Sequence, residues 1–143
     1  MEEKKNKVYD LKKRSYFYAL DIIKFLQSIP KDYTSQVMAR QLLRSATSVG
    51  ANIIEAQVSA SKKDFSNFYR HALKSANESK FWLELIRDSV FSPLDRTTEL
   101  LNETTELSNI LASSILTLKE DRRKLLTFTF WFLLFTLKGG MDG

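Results

Sequence analysis

The sequence predicts an all-α protein, an antiparallel up-down-up-down four-helix bundle, on three observations. Four Gly and two Pro in 143 residues leave room for few turns, which disfavours all-β and α/β plans. Apolar residues recur at helical, heptad-like spacing through most of the chain. The segments that break this spacing are short, so successive helices fold back on one another. A chain of this length is expected to bury one core, and 43% hydrophobic with 27% charged residues is a globular balance.

Residues 1–14 are polar and charged and read as a frayed segment ahead of a bundle over 15–121. Ser15 is placed as the cap of a first helix to about Ile29, with Phe17, Leu20, Ile23 and Leu26 on one face. Pro30 ends that helix, and Lys31, Asp32 and Tyr33 make the turn. Thr34 or Ser35 starts the second helix, whose seam is Met38, Leu42, Ala46, Val49, Ile53 and Ala56. Gly50 inside it costs roughly 1 kcal/mol against Ala, and close approach of a neighbouring helix is the expected reason. Residues 59–63 turn the chain, with Ser61 and Asp64 as a capping box. The third helix carries Phe65, Phe68, Ala72, Ala76, Ser79, Leu83 and Ile86 inward, small enough in mid-seam for a close neighbour. Ser92 as N-cap and Pro93 in the first turn start the fourth helix. Its inner face is Leu100, Thr104, Leu107, Leu111, Ile115 and Leu118, and its outer face repeats Glu99, Glu103 and Glu106.

Residues 122–143 form a separate basic and aromatic tail. Arg122, Arg123 and Lys124 precede an apolar run from Leu125 to Leu137. That run is shorter than the roughly 18 residues a helix needs to span a bilayer, and its Thr-Phe alternation has strand character. Three readings stay open: burial at a subunit interface, an interfacial membrane anchor with basic flanks, or an extension with little function. The first is preferred, and a membrane is not expected among the partners.

The residue types exclude several chemistries. There is no Cys, so disulfides and thiolate metal sites are ruled out, which fits a reducing cytoplasm. No long apolar run follows Met1, so no secretory signal is read there. His71 is the sole histidine, and Phe68 occupies the place a Glu-x-x-His metal pair would need. Neither a nucleophile elbow nor a glycine-rich phosphate loop occurs. No catalytic, cofactor or metal residue is expected, and the protein is not expected to be an enzyme.

Charge is the more informative signal. The net charge is +5 with pI near 9.4. Residues 1–63 and 122–143 hold the excess of Lys and Arg, residues 64–91 balance, and residues 92–121 are acidic. This polarity suits a polyanion, or charge-matched packing between subunits. The candidate RNA contacts are Lys12, Lys13 and Arg14, then Arg40 and Arg44 one turn apart, then Lys62 and Lys63 in the turn. Tyr16, Tyr18 and Tyr69 are open to base stacking or to packing. A polar layer beside the seams is expected to fix the hairpin register: Arg44 against Glu78, and Asn52 and Glu55 against the third helix. The other reading of the same groups is a binding surface.

The stretch from Gln41 to Ala56 (QLLRSATSVGANIIEA), the turn Ser61-Lys-Lys-Asp-Phe65 and the run Tyr69-Arg-His-Ala-Leu-Lys-Ser-Ala-Asn-Glu-Ser-Lys80 resemble the 23S rRNA intervening-sequence proteins. The resemblance covers about residues 8–120 and leaves the tail outside. It implies a four-helix bundle that forms a homo-oligomer, often a pentameric ring, in bacteria. The family is also similar to the accessory variability proteins of diversity-generating retroelements, basic pentameric bundles that bind RNA and a reverse transcriptase. By resemblance, then, the expected partners are copies of the chain, structured RNA and a partner protein such as a reverse transcriptase.

Overall fold

The computed structural model describes residues 2–89 and 93–139, with side chains over 11–89 and 93–137. It contains four helices, α1 (Glu2–Leu26), α2 (Tyr33–Gln57), α3 (Lys62–Ser89) and α4 (Leu94–Gly139), and no strand among the described residues. Each helix packs against its chain neighbours and α1 closes on α4, while the diagonal pairs stay apart. This is the antiparallel up-down-up-down bundle that the short connections call for. The α2–α3 hairpin is its most extensive interface.

The seams of α2 and α3 are buried as their spacing predicts. Leu42, Ala46, Val49 and Ile53 face Ala72, Ala76, Ser79 and Leu83 in a fully enclosed stripe. In α4, Leu100, Thr104, Leu107 and Leu111 are buried, and Ile115 and Leu118 are half-buried where the bundle ends.

The first helix differs from expectation in two ways. Ser15 is not a cap: α1 starts at Glu2, and Ser15 is buried within it with its hydroxyl on the Lys12 carbonyl at 2.9 Å. The inward face is Leu11, Ser15, Tyr18, Ile22 and Phe25, whereas Phe17 and Ile23 are exposed. Residues 11–14 therefore belong to the bundle, since Leu11 is buried and Arg14 binds α4. α1 ends in a tight turn, with the Ser28 N–H on the Phe25 carbonyl at 3.0 Å.

Local signals explain the other boundaries. Asp32, expected in the turn, caps α2: its carboxylate accepts from the Ser35 N–H at 3.0 Å and the Ser35 hydroxyl at 2.6 Å. These bonds hold the Asp32 carboxyl below its usual range, the Ser35 hydroxyl contributing most. The Ser61–Asp64 box forms, with the Asp64 N–H on the Ser61 oxygen at 3.1 Å and the Ser61 hydroxyl on the Asp64 carboxylate at 2.9 Å. Ser92 lies outside the described residues. The Pro93 carbonyl accepts the first bond of α4 from the Thr97 N–H.

Gly50 sits in close contact with Ser15 of α1. A Cβ there would lie 3.3 Å from the Ser15 hydroxyl oxygen. Gly50→Ala is expected to be near neutral, because roughly 1 kcal/mol of helix propensity offsets a small shift of Ser15. Gly50→Val is expected to cost about 1–3 kcal/mol by wedging the helices apart. Urea unfolding of both variants checks this, and equal stability of the two would contradict it.

The tail is helix, not strand. α4 runs unbroken from Leu94 to Gly139, and every described side chain from Lys119 onward is exposed. With no partner strand beside it, a helix is the conformation in which the segment satisfies its own backbone. Among the described residues no helix is long and apolar enough to cross a membrane.

Candidate nucleic-acid interface

The hairpin is held in register by hydroxyls that touch across it. The Ser45 and Ser79 oxygens lie 2.8 Å apart in the core, and the Ser75 hydroxyl reaches Ser48 at 3.0 Å nearer the surface. Arg44 forms the expected ion pair with Glu78, while also bonding Gln41 on its own helix. Asn52 does not meet α3 directly. It donates to the Ser48 carbonyl at 2.8 Å and the Ser48 hydroxyl at 3.1 Å, so its link to α3 runs through Ser48 and Ser75. Glu55 is exposed and has no ion pair among the described residues, so it does not serve the register.

A buried polar layer that the sequence reading lacked joins all four helices at mid-height. Beside Ser45 and Ser79, the Tyr18 hydroxyl of α1 lies 2.9 Å from the Thr104 hydroxyl of α4 and stands close to Ser79. Burial pushes the Tyr18 phenol up, partly offset by these contacts. Tyr69 is equally enclosed and is also pushed up by burial. Neither ring can stack on a base, which leaves Tyr16, 62% exposed, as the one of the three that can.

The cations divide into tied and free. Arg14 forks onto both Glu103 oxygens at 2.6 and 2.8 Å and also meets Glu106, which raises its pKa. Arg96 joins Asp21 at 2.9 Å and Glu99 at 2.7 Å. The acidic row of α4 is therefore matched to cations of the same chain, and Arg14 is lost as a phosphate ligand. Lys12 and Lys13 are exposed on α1. Because α1 is diagonal to α3, they lie away from Lys62 and Lys63.

Free charge gathers on the outer face of the hairpin. Lys63, Arg70 and Lys74 are exposed, have no ion pair among the described residues, and fall at helical spacing with Asn67 and Asn77 on one stripe of α3. Lys62 stands beside the stripe, Arg40 is exposed on α2 with no ion pair among the described residues, and Arg44 pairs with Glu78. Lys62 and Lys63 occupy the first turn of α3, where the helix dipole disfavours cations, so folding gains little from them. Arg70 and Lys74 were missed because Glu84 and Asp88, further along the same helix, cancel them in a segment sum. The four-three-four spacing of Lys63, Asn67, Arg70 and Lys74 was the signal that could have found them.

His71 is exposed, and among the described residues no cluster of three His, Asp or Glu side chains is poised to hold a metal. The arrangement is a surface for contact, with phosphates as the ligands its charge and geometry suit.

Comparison with known proteins supplies the context. The model of a family described as 23S rRNA-intervening sequence protein matches residues 5–113. Among solved structures, the chain is similar to a protein of unknown function from the S23 ribosomal protein family of Bacteroides thetaiotaomicron VPI-5482, determined at 1.70 Å. The two are 36% identical with a TM-score of 0.71, over 76% of this chain and 97% of that one. No curated protein matches the chain.

Proposed function

The chain belongs to the 23S rRNA-intervening sequence protein family, and from that premise we propose that it is a non-enzymatic, cytoplasmic homo-oligomer that binds structured RNA through the outer face of the α2–α3 hairpin. The observation that supports this most is the free stripe of Lys63, Arg70 and Lys74, continued by Lys62. Cations without carboxylate partners release counterions when they meet a phosphate backbone, which makes binding strong and salt-dependent. An oligomer, as the family resemblance implies, would present one such stripe per subunit and multiply the contact.

The test is a mobility shift against salt, with structured RNA and double-stranded DNA of equal length, and with the oligomer mass recorded on the same sample. Affinity is expected to fall steeply with salt, and Lys62→Glu with Lys63→Glu is expected to flatten the slope by about two. No binding at low salt from a sample of defined mass would sink the reading.

One observation favours a second reading, a scaffold that docks a partner protein such as a reverse transcriptase. Tyr16 and Phe17 are exposed on α1 and pack edge to face at 5.7 Å between ring centres, with Ile23 exposed on the same helix. Such rigid aromatic pairs suit protein contact. RNA-independent capture of a partner, lost in Tyr16→Ser with Phe17→Ser, would support it over the first.

A further inference from the structure

The segment Leu125–Leu137 lies outside the region the family model matches and outside the packed bundle. Its large apolar side chains are 44–78% exposed, and the run contains no charge. At ~3.6 residues per turn, Thr129 and Thr136 fall on one line and Thr127 on the opposite side, so no face is polar. The three threonine hydroxyls turn back onto the carbonyls of Arg123, Leu125 and Leu133 at 2.9 Å each. The helix thus offers its surroundings only Phe, Leu, Trp and methyl groups.

An occupant must cover such a helix on every side. A second copy of it covers one face and leaves the others in water, because an all-round apolar helix has no outer polar stripe. A lipid leaflet covers all of them. The run is about 20 Å long, against the ~30 Å of a hydrocarbon core, so it enters a leaflet without crossing.

Charge complementarity points the same way. Arg122 and Arg123 are exposed at the base of the run with no ion pair among the described residues, beside Lys124, which is paired with Glu120 at 2.8 Å. Arg123 and Lys124 rim a shallow groove floored by Phe128 and Trp131. The up-down topology brings the start of α3, with Lys62 and Lys63, to the end of the bundle from which this helix leaves. A collar of cations around an apolar stem suits anionic headgroups over acyl chains.

We propose that the C-terminal end of α4 inserts into one leaflet of an anionic membrane and tethers the bundle there. This goes beyond RNA binding, does not depend on it, and takes up the interfacial-anchor reading of the tail that the sequence leaves open.

The test uses full-length protein floated with vesicles of phosphatidylcholine alone and with vesicles that also contain phosphatidylglycerol. A Trp82→Phe background leaves Trp131 as the sole tryptophan. Flotation with the anionic vesicles and a blue shift of Trp131 emission are expected. Each arginine beside an anionic surface is worth a roughly fivefold change in partitioning, so Arg122→Ala with Arg123→Ala is expected to lower it about 25-fold. Phe130→Glu with Leu133→Glu is expected to abolish flotation with unchanged thermal unfolding of the bundle, because neither side chain packs on it. Failure of the unaltered protein to float with anionic vesicles overturns the proposal, as does undiminished flotation of the Phe130/Leu133 variant. A larger assembly in lipid-free buffer that dissolves in that variant, without flotation, assigns the segment to a second copy instead.

Discussion

Tyr18→Ala is expected to lower the unfolding free energy by about 3–5 kcal/mol, the range for removing a large buried ring. Tyr18 is 2% exposed and stands at mid-height, where its ring fills the space between helices and its hydroxyl meets Thr104 and Ser79. Tyr18→Phe separates the two contributions. It keeps the ring, and Thr104 retains its bond to the Leu100 carbonyl at 2.6 Å, so a loss of only about 1 kcal/mol is expected. Chemical denaturation of both variants gives the comparison. Equal losses would mean that the hydroxyl rather than the ring holds the centre of the bundle.

Lys63→Glu, Arg70→Glu and Lys74→Glu together are expected to weaken RNA binding by at least about 100-fold at moderate salt, since three phosphate contacts become three repulsions. Arg14→Ala is the control. Its guanidinium is already held by Glu103 and Glu106, so RNA affinity is expected to stay within about twofold. The same change is expected to cost about 1 kcal/mol of stability, because the group is part-exposed. Affinity measured on folded protein and stability measured by denaturation should thus respond to different arginines. A triple variant that binds as the parent does would remove the α3 stripe from consideration.

The sequence was most legible where only one seam was available. Ala46, Val49 and Ile53 on α2, and Ala72, Ala76 and Leu83 on α3, recur at three- and four-residue steps with small residues in mid-seam, and the structure buries that set. In α1 apolar residues surround the helix. Phe17, Leu20 and Ile23 compete with Tyr18, Ile22 and Phe25, and the contact of Ser15 with Gly50 selects the second set. Spacing along one helix carries no information about that choice. The same limit hid the link between Arg14 and α4, which is 89 residues away along the chain. Arg44 and Glu78 were within reach because a short turn fixes the register of the hairpin. The alternation in the tail misled because Thr and Phe favour strands only where a neighbouring strand exists.

The unbroken course of α4 gives one helix two kinds of stability. An isolated segment of about eighteen residues rich in Phe, Thr and Trp would be marginal as a helix in water, chiefly because its first turn is costly to nucleate. Here the packed turns from Leu100 to Leu111 provide that nucleus, and the outer turns only propagate it. Amide exchange should accordingly be slowest around Leu107, where opening requires the whole bundle to unfold, and quicken steadily toward Leu137, where the helix unwinds from its free end.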